Sequence, residues 1–211
     1  MDQVSADKIV ELTDVSRETL ARLAQYEALL QQWNPKINLV AKSTLSQVWQ
    51  RHILDSAQIF PHIPQDTKLL TDIGSGAGFP GLVLAVLAKE KIPDLSITLV
   101  ESDQRKCAFL RAVARELSLS VNILTTRIEQ AELAQADILT ARALAPIADL
   151  LTFQENLLHP DGVCLFLKGA NYATEILKAK ESFDFAVESI KSRTDPNGVI
   201  LRISGVSRVT S

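Results

Sequence analysis

A glycine-rich stretch, TDIGSGAGFPG at residues 71–81, follows directly on the apolar pair Leu69-Leu70. Four of the chain's eight glycines fall between positions 74 and 81. Glycine is favoured where the backbone adopts a left-handed conformation or comes close to other atoms, because it has no Cβ. A strand that ends in such a turn and leads into a helix is typical of α/β folds, where the helix N-terminus faces a polar or anionic ligand. The stretch therefore predicts a strand, a ligand-binding turn and a helix, in that order.

Short β-rich runs alternate with helical patterns beyond this turn. Apolar runs such as residues 97–100 are typical of strands that are buried on both faces. The pattern predicts strands over 69–73, 95–101, 121–125, 137–141 and 163–167, helices over 82–89, 103–117 and 146–158, and two further strands over 183–190 and 199–203. This order predicts a doubly wound, Rossmann-like α/β domain with a parallel sheet.

The first 66 residues have a helical pattern without strands. Ser16 has the properties of an N-cap, with Glu18 in the first turn, and apolar residues then recur at helical spacing up to Trp33. We predict that this helix ends before Pro35 and that a second helix runs over 44–60. Residues 1–66 are thus expected to form a helical extension packed on a main domain of residues 67–211.

Composition limits the classes of function. A chain of 211 residues with 46% hydrophobic residues is expected to form one core. No apolar run approaches the ~18 residues of a membrane span, and the N-terminus lacks a signal-peptide pattern, so we expect a cytoplasmic protein without a membrane partner. Cys107 and Cys164 lie in apolar runs without metal-ligand spacing, so we expect reduced core thiols and no metal site.

The net charge of −3 disfavours a nucleic-acid binder that depends on a broad basic field. A local basic patch is still compatible with this charge. Residues 34–56 carry Lys36, Lys42 and Arg51 against the single acid Asp55. Arg51 and Asp55 are four residues apart, which puts them on one helical face and permits an ion pair between them.

The glycine turn fits two motifs. Residues 76–81 match G-x-G-x-x-G, and Glu101 follows 20 residues later, where dinucleotide enzymes of the NAD type carry an acid that binds a ribose. The other frame includes Asp72 together with Gly74, Gly76 and Gly78, and it resembles the first motif of S-adenosylmethionine-dependent methyltransferases. Glu101 serves both frames, because a carboxylate at the end of the second strand can accept both ribose hydroxyls. The second frame accounts for one residue more, namely Asp72.

Several short stretches, found in one order between about Leu29 and Gly169, resemble the glucose-inhibited division protein B family. These stretches are Asn38-Leu39-Val40, Arg51-His52-Ile53-Leu54-Asp55-Ser56, the loop 74–81, Glu101-Ser102 with Lys106 and Phe109-Leu110, Arg127-Ile128-Glu129, Ala141-Arg142-Ala143 and Leu167-Lys168-Gly169. Members of this family are bacterial methyltransferases that modify guanine N7 in small-subunit ribosomal RNA. The resemblance implies a class I methyltransferase sheet with S-adenosylmethionine as cofactor.

The resemblance also implies roles for individual residues. The implied cofactor-binding residues are Asp72, Gly74, Gly76, Gly78, Phe79, Glu101, Ile128, Glu129 and Arg142, with Ile128 and Glu129 beside the adenine. Arg142 is implied at the junction of cofactor and substrate, and residues 51–56 form a wall of the active site that orders Asn38. The candidate catalytic residues are therefore Arg142, Asn38 and His52. Arg51 and Lys168 are the candidate RNA contacts.

The sequence after the fourth strand is compatible with guanine N7, the target atom that the resemblance implies. Methyltransferases that act on exocyclic amines resemble one another in an Asp/Asn-Pro-Pro-aromatic run there, whereas this chain has ARALAP at 141–146. Neither cysteine fits the position of a nucleophile for cytosine C5. Guanine N7 needs no general base, because its lone pair is free, and alignment at ~3 Å can supply ~7–11 kcal/mol. His52 is accordingly not expected to act as a base, and Arg142 is expected to position a phosphate or a base edge.

The resemblance, together with these observations, implies methyl transfer from S-adenosylmethionine to guanine N7 in the decoding-region loop of 16S rRNA. The expected substrate is the 30S subunit or a late precursor, because an acidic chain is expected to bind naked RNA only modestly, and we expect a monomer. Two alternatives stay open. One is an NAD-type oxidoreductase, and the other is a non-catalytic ribosome-assembly factor that binds S-adenosylmethionine.

Overall fold

The computed structural model describes residues 2–209 and contains a seven-stranded sheet with strand order β3-β2-β1-β4-β5-β7-β6. The strands are β1 (Leu69–Ile73), β2 (Ser96–Glu101), β3 (Val121–Thr125), β4 (Ala136–Arg142), β5 (Leu158–Lys168), β6 (Phe183–Lys191) and β7 (Val199–Arg208). Strands β1 to β5 are parallel. Strand β7 is antiparallel to both β5 and β6. The predicted doubly wound sheet is confirmed, with an antiparallel hairpin at one edge.

Helices cover both faces of this sheet. They are α4 (Gly81–Lys91), α5 (Gln104–Glu116), α6 (Ile147–Leu157) and α7 (Tyr172–Ala179). Helices α4 and α5 contribute to one hydrophobic core, and α6 and α7 contribute to a second core on the opposite face. Sequence reasoning missed α7, because this helix has only eight residues, which is shorter than the windows in which a helical pattern can be recognised, and it buries only Ala179.

The N-terminal helices are α1 (Gln3–Thr13) and α2 (Arg17–Ile37). The predicted cap at Ser16 is confirmed, since its side chain accepts a hydrogen bond from Thr19 N. The predicted end of α2 before Pro35 is wrong. Helix α2 continues through Pro35 to Ile37, and the carbonyl that loses its donor belongs to an exposed residue, Gln31.

The sequence pattern predicted one regular α-helix over 44–60. The structure instead divides the segment 42–62 into several short helical pieces of different types. A 3₁₀ stretch (Lys42–Gln47) leads into a π-helical stretch (Trp49–Leu54), then the short α3 (Asp55–Ala57) and a second 3₁₀ turn (Phe60–His62). Wide π turns often occur at functional sites. Four of the six side chains of the π stretch are buried, namely Trp49, His52, Ile53 and Leu54.

The N-terminal helices are part of the main core. Residues 81–88 of α4 are all buried, because α2 and α3 pack on the side of α4 that does not face the sheet. This explains why residues 81–88 of α4 are apolar all round rather than amphipathic. The boundary between residues 66 and 67 stays a prediction. Among the helices of residues 2–209, none combines the length and the apolar character that a membrane span needs.

Asp72 ties the first strand to its neighbours. Its Oδ1 accepts a hydrogen bond from Thr140 Oγ1 of β4 (2.8 Å), and its Oδ2 accepts from Gly81 N at the start of α4 (3.3 Å). A Cβ at position 81 would lie 2.9 Å from the Cβ of Asp72, so only glycine permits this approach. The carboxyl group is fully buried, and burial raises its pKa to about 6.

We expect Asp72→Asn to change how stability depends on pH. A carboxyl group with a raised pKa in the folded state destabilises the fold when it ionises, and this cost disappears as the pH falls below about 6. At each pH the quantity of interest is the free energy of unfolding of the wild type minus that of the variant. This difference should increase by about 2 kcal/mol when the pH is lowered from 7 to 4.5. Urea unfolding at each pH measures this difference. Exposed Asp66→Asn is the control, and a pH-independent difference for Asp72→Asn would contradict the assignment.

Candidate functional site

Two neighbouring cavities lie at the carboxyl ends of the parallel strands, where open α/β sheets bind ligands. The glycine-loop cavity, of about 430 Å³, is lined by Gly74, Glu101, Ser102, residues 126–129, residues 143–145 and Phe153, together with Val100 and Lys106. The Arg142 cavity, of about 610 Å³, lies between the segment 44–55, the ends of β4 and β5, and the turn 192–199. Ala143 lines both cavities, so a ligand in one adjoins a ligand in the other.

The glycine loop has the left-handed backbone that its sequence predicts. Gly74, Gly76 and Gly78 have φ angles of 64°, 56° and 92°. The loop is held by the carboxylate of Glu101, whose Oε2 accepts from Gly76 N (2.9 Å) and whose Oε1 accepts from Asp103 N (2.8 Å). Glu101 therefore connects the end of β2 to the turn after β1.

The glycine-loop cavity fits a nucleoside. Each oxygen of Glu101 keeps lone-pair capacity beyond its one backbone bond, which suits the two hydroxyls of a ribose. Ile128 and Phe153 supply apolar walls that suit a purine base. Of the predicted cofactor residues, Gly74, Glu101, Ile128 and Glu129 line this cavity. Asp72, Gly76, Gly78, Phe79 and Arg142 do not line it, although Gly76 is bonded to Glu101.

Phe79 joins the glycine loop to the N-terminal helices. Its ring is stacked with Tyr26 of α2 and with His52, at centroid distances of 5.3 and 5.1 Å. The guanidinium of Arg142 lies 5.1 Å from the centre of the same ring. Tyr26 is completely buried, and its hydroxyl donates to the carbonyl of Ala77 in the loop. The conformation of the loop thus depends on residues of the N-terminal helical segments.

The guanidinium of Arg142 is fixed by the segment 51–55. Its Nη1 donates to Asp55 Oδ2 (3.2 Å) and to the carbonyl of Arg51 (3.1 Å), and its Nη2 donates to His52 Nδ1 (3.0 Å). Asp55 also accepts from Thr194 Oγ1 in the turn before β7. Asp55 therefore pairs with Arg142 across the cavity, not with Arg51 along the helix.

His52 is neutral at physiological pH. Burial and the neighbouring guanidinium of Arg142 lower its pKa to about 4. Because Arg142 donates to Nδ1, the proton lies on Nε2, which donates to Thr44 Oγ1 (2.9 Å). Both ring nitrogens are occupied, so the imidazole positions Arg142 and has no free nitrogen with which to accept a proton.

The structure places the other predicted residues less centrally. Asn38 caps the end of α2 with φ 48°, is exposed and lines neither cavity. Arg51 is exposed at the rim of the Arg142 cavity. Lys168 lines that cavity, but its Nζ lies 2.6 Å from Glu175 Oε2 and donates to the carbonyl of Ala145. Sequence reasoning missed Tyr26 and Glu175, because neither lies in a motif and both act through tertiary contacts.

The order of the strands, the glycine turn after β1 and the acid that ends β2 define the class of S-adenosylmethionine-dependent methyltransferases. Solved structures that share this fold include the following two. The O-methyltransferase TomG from Streptomyces achromogenes has a TM-score of 0.58 at 12% identity, covering 96% of each chain. A SAM-dependent methyltransferase from Aquifex aeolicus also has a TM-score of 0.58, at 11% identity, covering 79% of this chain and 95% of that one.

The family model GidB, described as rRNA small subunit methyltransferase G, matches residues 19–197. Curated relatives named ribosomal RNA small subunit methyltransferase G include one from Rhodospirillum centenum, 53% identical over 92% of this chain and 87% of the relative. Another, from Ruegeria sp. strain TM1040, is 50% identical over 93% of this chain and 95% of the relative. The chain belongs to this family of ribosomal RNA methyltransferases. The predicted family and cofactor, S-adenosylmethionine, are confirmed, which favours the methyltransferase frame of the glycine loop over the dinucleotide frame.

We expect Tyr26→Phe to destabilise the protein although it removes a single oxygen atom. The change leaves the carbonyl of Ala77 without its buried donor, which costs about 1–3 kcal/mol. Urea unfolding measures the loss. Tyr172→Phe, which changes a half-buried residue of α7, is the matched control and should change stability by less than about 0.5 kcal/mol. Equal effects of the two changes on the free energy of unfolding would show that the hydrogen bond from Tyr26 to the carbonyl of Ala77 does not contribute to stability.

Proposed function

We propose that this chain transfers a methyl group from S-adenosylmethionine to N7 of a guanine in the decoding-region loop of 16S rRNA. The proposed substrate is the 30S subunit or a late precursor of it, and the proposed enzyme is a cytoplasmic monomer. The observation that carries the proposal is the Arg142 cavity, which adjoins the glycine-loop cavity at Ala143 and has a histidine that is neutral and fully hydrogen-bonded.

The choice of N7 is supported because the chain lacks the features that methylation of an exocyclic amine or of cytosine C5 would need. Methylation of an exocyclic amine releases a proton, and the run ARALAP after β4 differs from the Asp/Asn-Pro-Pro-aromatic run of enzymes that act on amines. Cys107 and Cys164 are completely buried, and burial raises the pKa of the Cys164 thiol far above its usual range. Neither cysteine lines the cavity. A ring nitrogen with a free lone pair, such as guanine N7, needs neither a side chain that accepts a proton nor a cysteine nucleophile.

The proposed role of the protein is to align the reactants. When bound, S-adenosylmethionine supplies an electrophilic methyl group on its sulfonium. Glu101 would bind the ribose hydroxyls of this cofactor, with Ile128 and Glu129 beside its adenine. The walls of the Arg142 cavity would hold the guanine with N7 facing Ala143, where the two cavities meet. Alignment of this kind can contribute ~7–11 kcal/mol to a bimolecular step.

The charges in the Arg142 cavity are compatible with a base that becomes cationic. The carboxylate of Asp55, at 3.2 Å, offsets the guanidinium of Arg142, which would otherwise oppose the developing charge. Arg142 is proposed to position a base edge or a phosphate through its remaining N–H groups. Arg51, exposed at the rim, is the proposed phosphate contact.

The direct test is tritium transfer from labelled S-adenosylmethionine to purified 30S subunits that lack the modification. We expect about one methyl group per subunit, and chemical cleavage at 7-methylguanine should map it to one guanine in the decoding-region loop. Binding of S-adenosylhomocysteine without any transfer would support the non-catalytic assembly factor. Binding heat from NAD, or a methyl group on another atom, would also contradict the proposal.

We expect Arg142→Lys to impair transfer without weakening cofactor binding. Lysine keeps the charge, but its single ammonium nitrogen cannot replace the planar fork in which Nη1 contacts Asp55 and the carbonyl of Arg51 while Nη2 contacts His52. Misplacement of this group should lower kcat about 100-fold, while the Kd for S-adenosylhomocysteine stays within about twofold, because Arg142 does not line the glycine-loop cavity. Exposed Arg105→Lys is the matched control. Full turnover by Arg142→Lys would refute the proposed role of Arg142 in positioning the substrate.

A further inference from the structure

The segment 143–146 is the wall between the two cavities. Ala143 lines both of them, while Leu144 and Ala145 line the glycine-loop cavity. Leu144 lies directly on the loop, since a Cβ built on Gly74 would be 2.5 Å from Leu144 Cδ1. The position of this wall therefore affects the shape of both cavities.

The wall has little regular structure of its own to fix it. It forms neither helix nor strand, and Ala143 has a left-handed φ of 50°, which is unfavourable for a residue with a Cβ. Pro146 has no N–H to donate. Leu144 is 37% exposed, so burial alone holds its side chain weakly. Contacts from elsewhere in the fold must hold the wall in place.

Lys168 and Glu175 supply these contacts. Lys168 Nζ, at the end of β5, donates to the carbonyl of Ala145 (2.8 Å) and to Glu175 Oε2 of α7 (2.6 Å). The same Glu175 oxygen accepts from Ile147 N, the first residue of α6 (3.1 Å). The two side chains are only 11% and 26% exposed, so this ion pair is less screened than a surface pair.

We propose that Glu175 is a positioning residue which, through Lys168, fixes the wall 143–146 and thereby prepares the glycine-loop cavity for the cofactor. Its effect on turnover rests on the function proposed above, whereas its effect on cofactor affinity does not. The sequence predicted Lys168 as an RNA contact instead. The geometry points to the internal role, because the ammonium is already engaged by a carboxylate and a carbonyl.

The test uses Glu175→Gln in the whole protein. Glutamine keeps the size of the side chain and an acceptor for Ile147 N but removes the charge that holds Lys168. We expect the Kd for S-adenosylhomocysteine, measured by calorimetry without RNA, to increase about fivefold to tenfold. Amide hydrogen exchange over 144–147 should become several-fold faster, while kcat falls and KM for 30S subunits stays within about twofold. Glu181→Gln, exposed just after α7, is the control and should change none of these values.

Lys168→Met gives an independent test that does not depend on the folding of the glutamate variant. It should change the affinity and the exchange rates by similar factors, and the double variant should add little, because both changes break one network. Unchanged affinity and exchange in both single variants, with a raised KM for 30S subunits in Lys168→Met, would overturn the proposal in favour of an RNA contact. If the wild-type protein transferred no methyl group to guanine N7, but the variants still showed these changes in cofactor affinity, only the proposed function would be contradicted.

Discussion

The contacts of the Phe79 ring are the interaction on which the site depends. Through this ring the glycine loop meets Tyr26 of α2, His52 of the irregular helical segment and the guanidinium of Arg142. A partly buried guanidinium without a carboxylate partner would be costly, and Asp55 supplies that partner from the same N-terminal region. The N-terminal helical segments therefore do more than cover the hydrophobic face of α4. They set the position of the loop and of the guanidinium that lines the Arg142 cavity.

The titratable groups near the cavities are arranged to position ligands rather than to move protons. His52 stays neutral because burial and a guanidinium lower its pKa, and both its nitrogens are hydrogen-bonded. Asp72 is enclosed between β1, β4 and α4, where it holds the start of the helix that follows the loop. An enzyme that methylates a lone pair needs no proton transfer from its side chains, so this arrangement suits the proposed reaction. It suits amine methylation less well, because that reaction must release a proton.

Local sequence patterns predicted the central sheet and the left-handed turn after β1. The bounds of β1 are as predicted, and the glycines and Glu101 could be placed because each belongs to one strand end or one turn. Longer-range features could not be predicted. Tyr26 and Ala77 are 51 residues apart, and Arg142 and Asp55 are 87 apart, so no periodicity connects them. The continuation of α2 through Pro35 was also not predicted, because the sequence does not reveal that Gln31, whose carbonyl loses its donor, is exposed.

The central claim is that one ligand cavity lies on each side of Ala143, with the cofactor on the side of Glu101. A crystal structure of the full chain with S-adenosylhomocysteine tests this claim most directly. The account predicts that both ribose hydroxyls lie within hydrogen-bond distance of the Glu101 carboxylate and that the sulfur points toward Ala143. Density for the nucleoside in the cavity beside Arg142 and His52, or a ribose bound by groups other than Glu101, would contradict it.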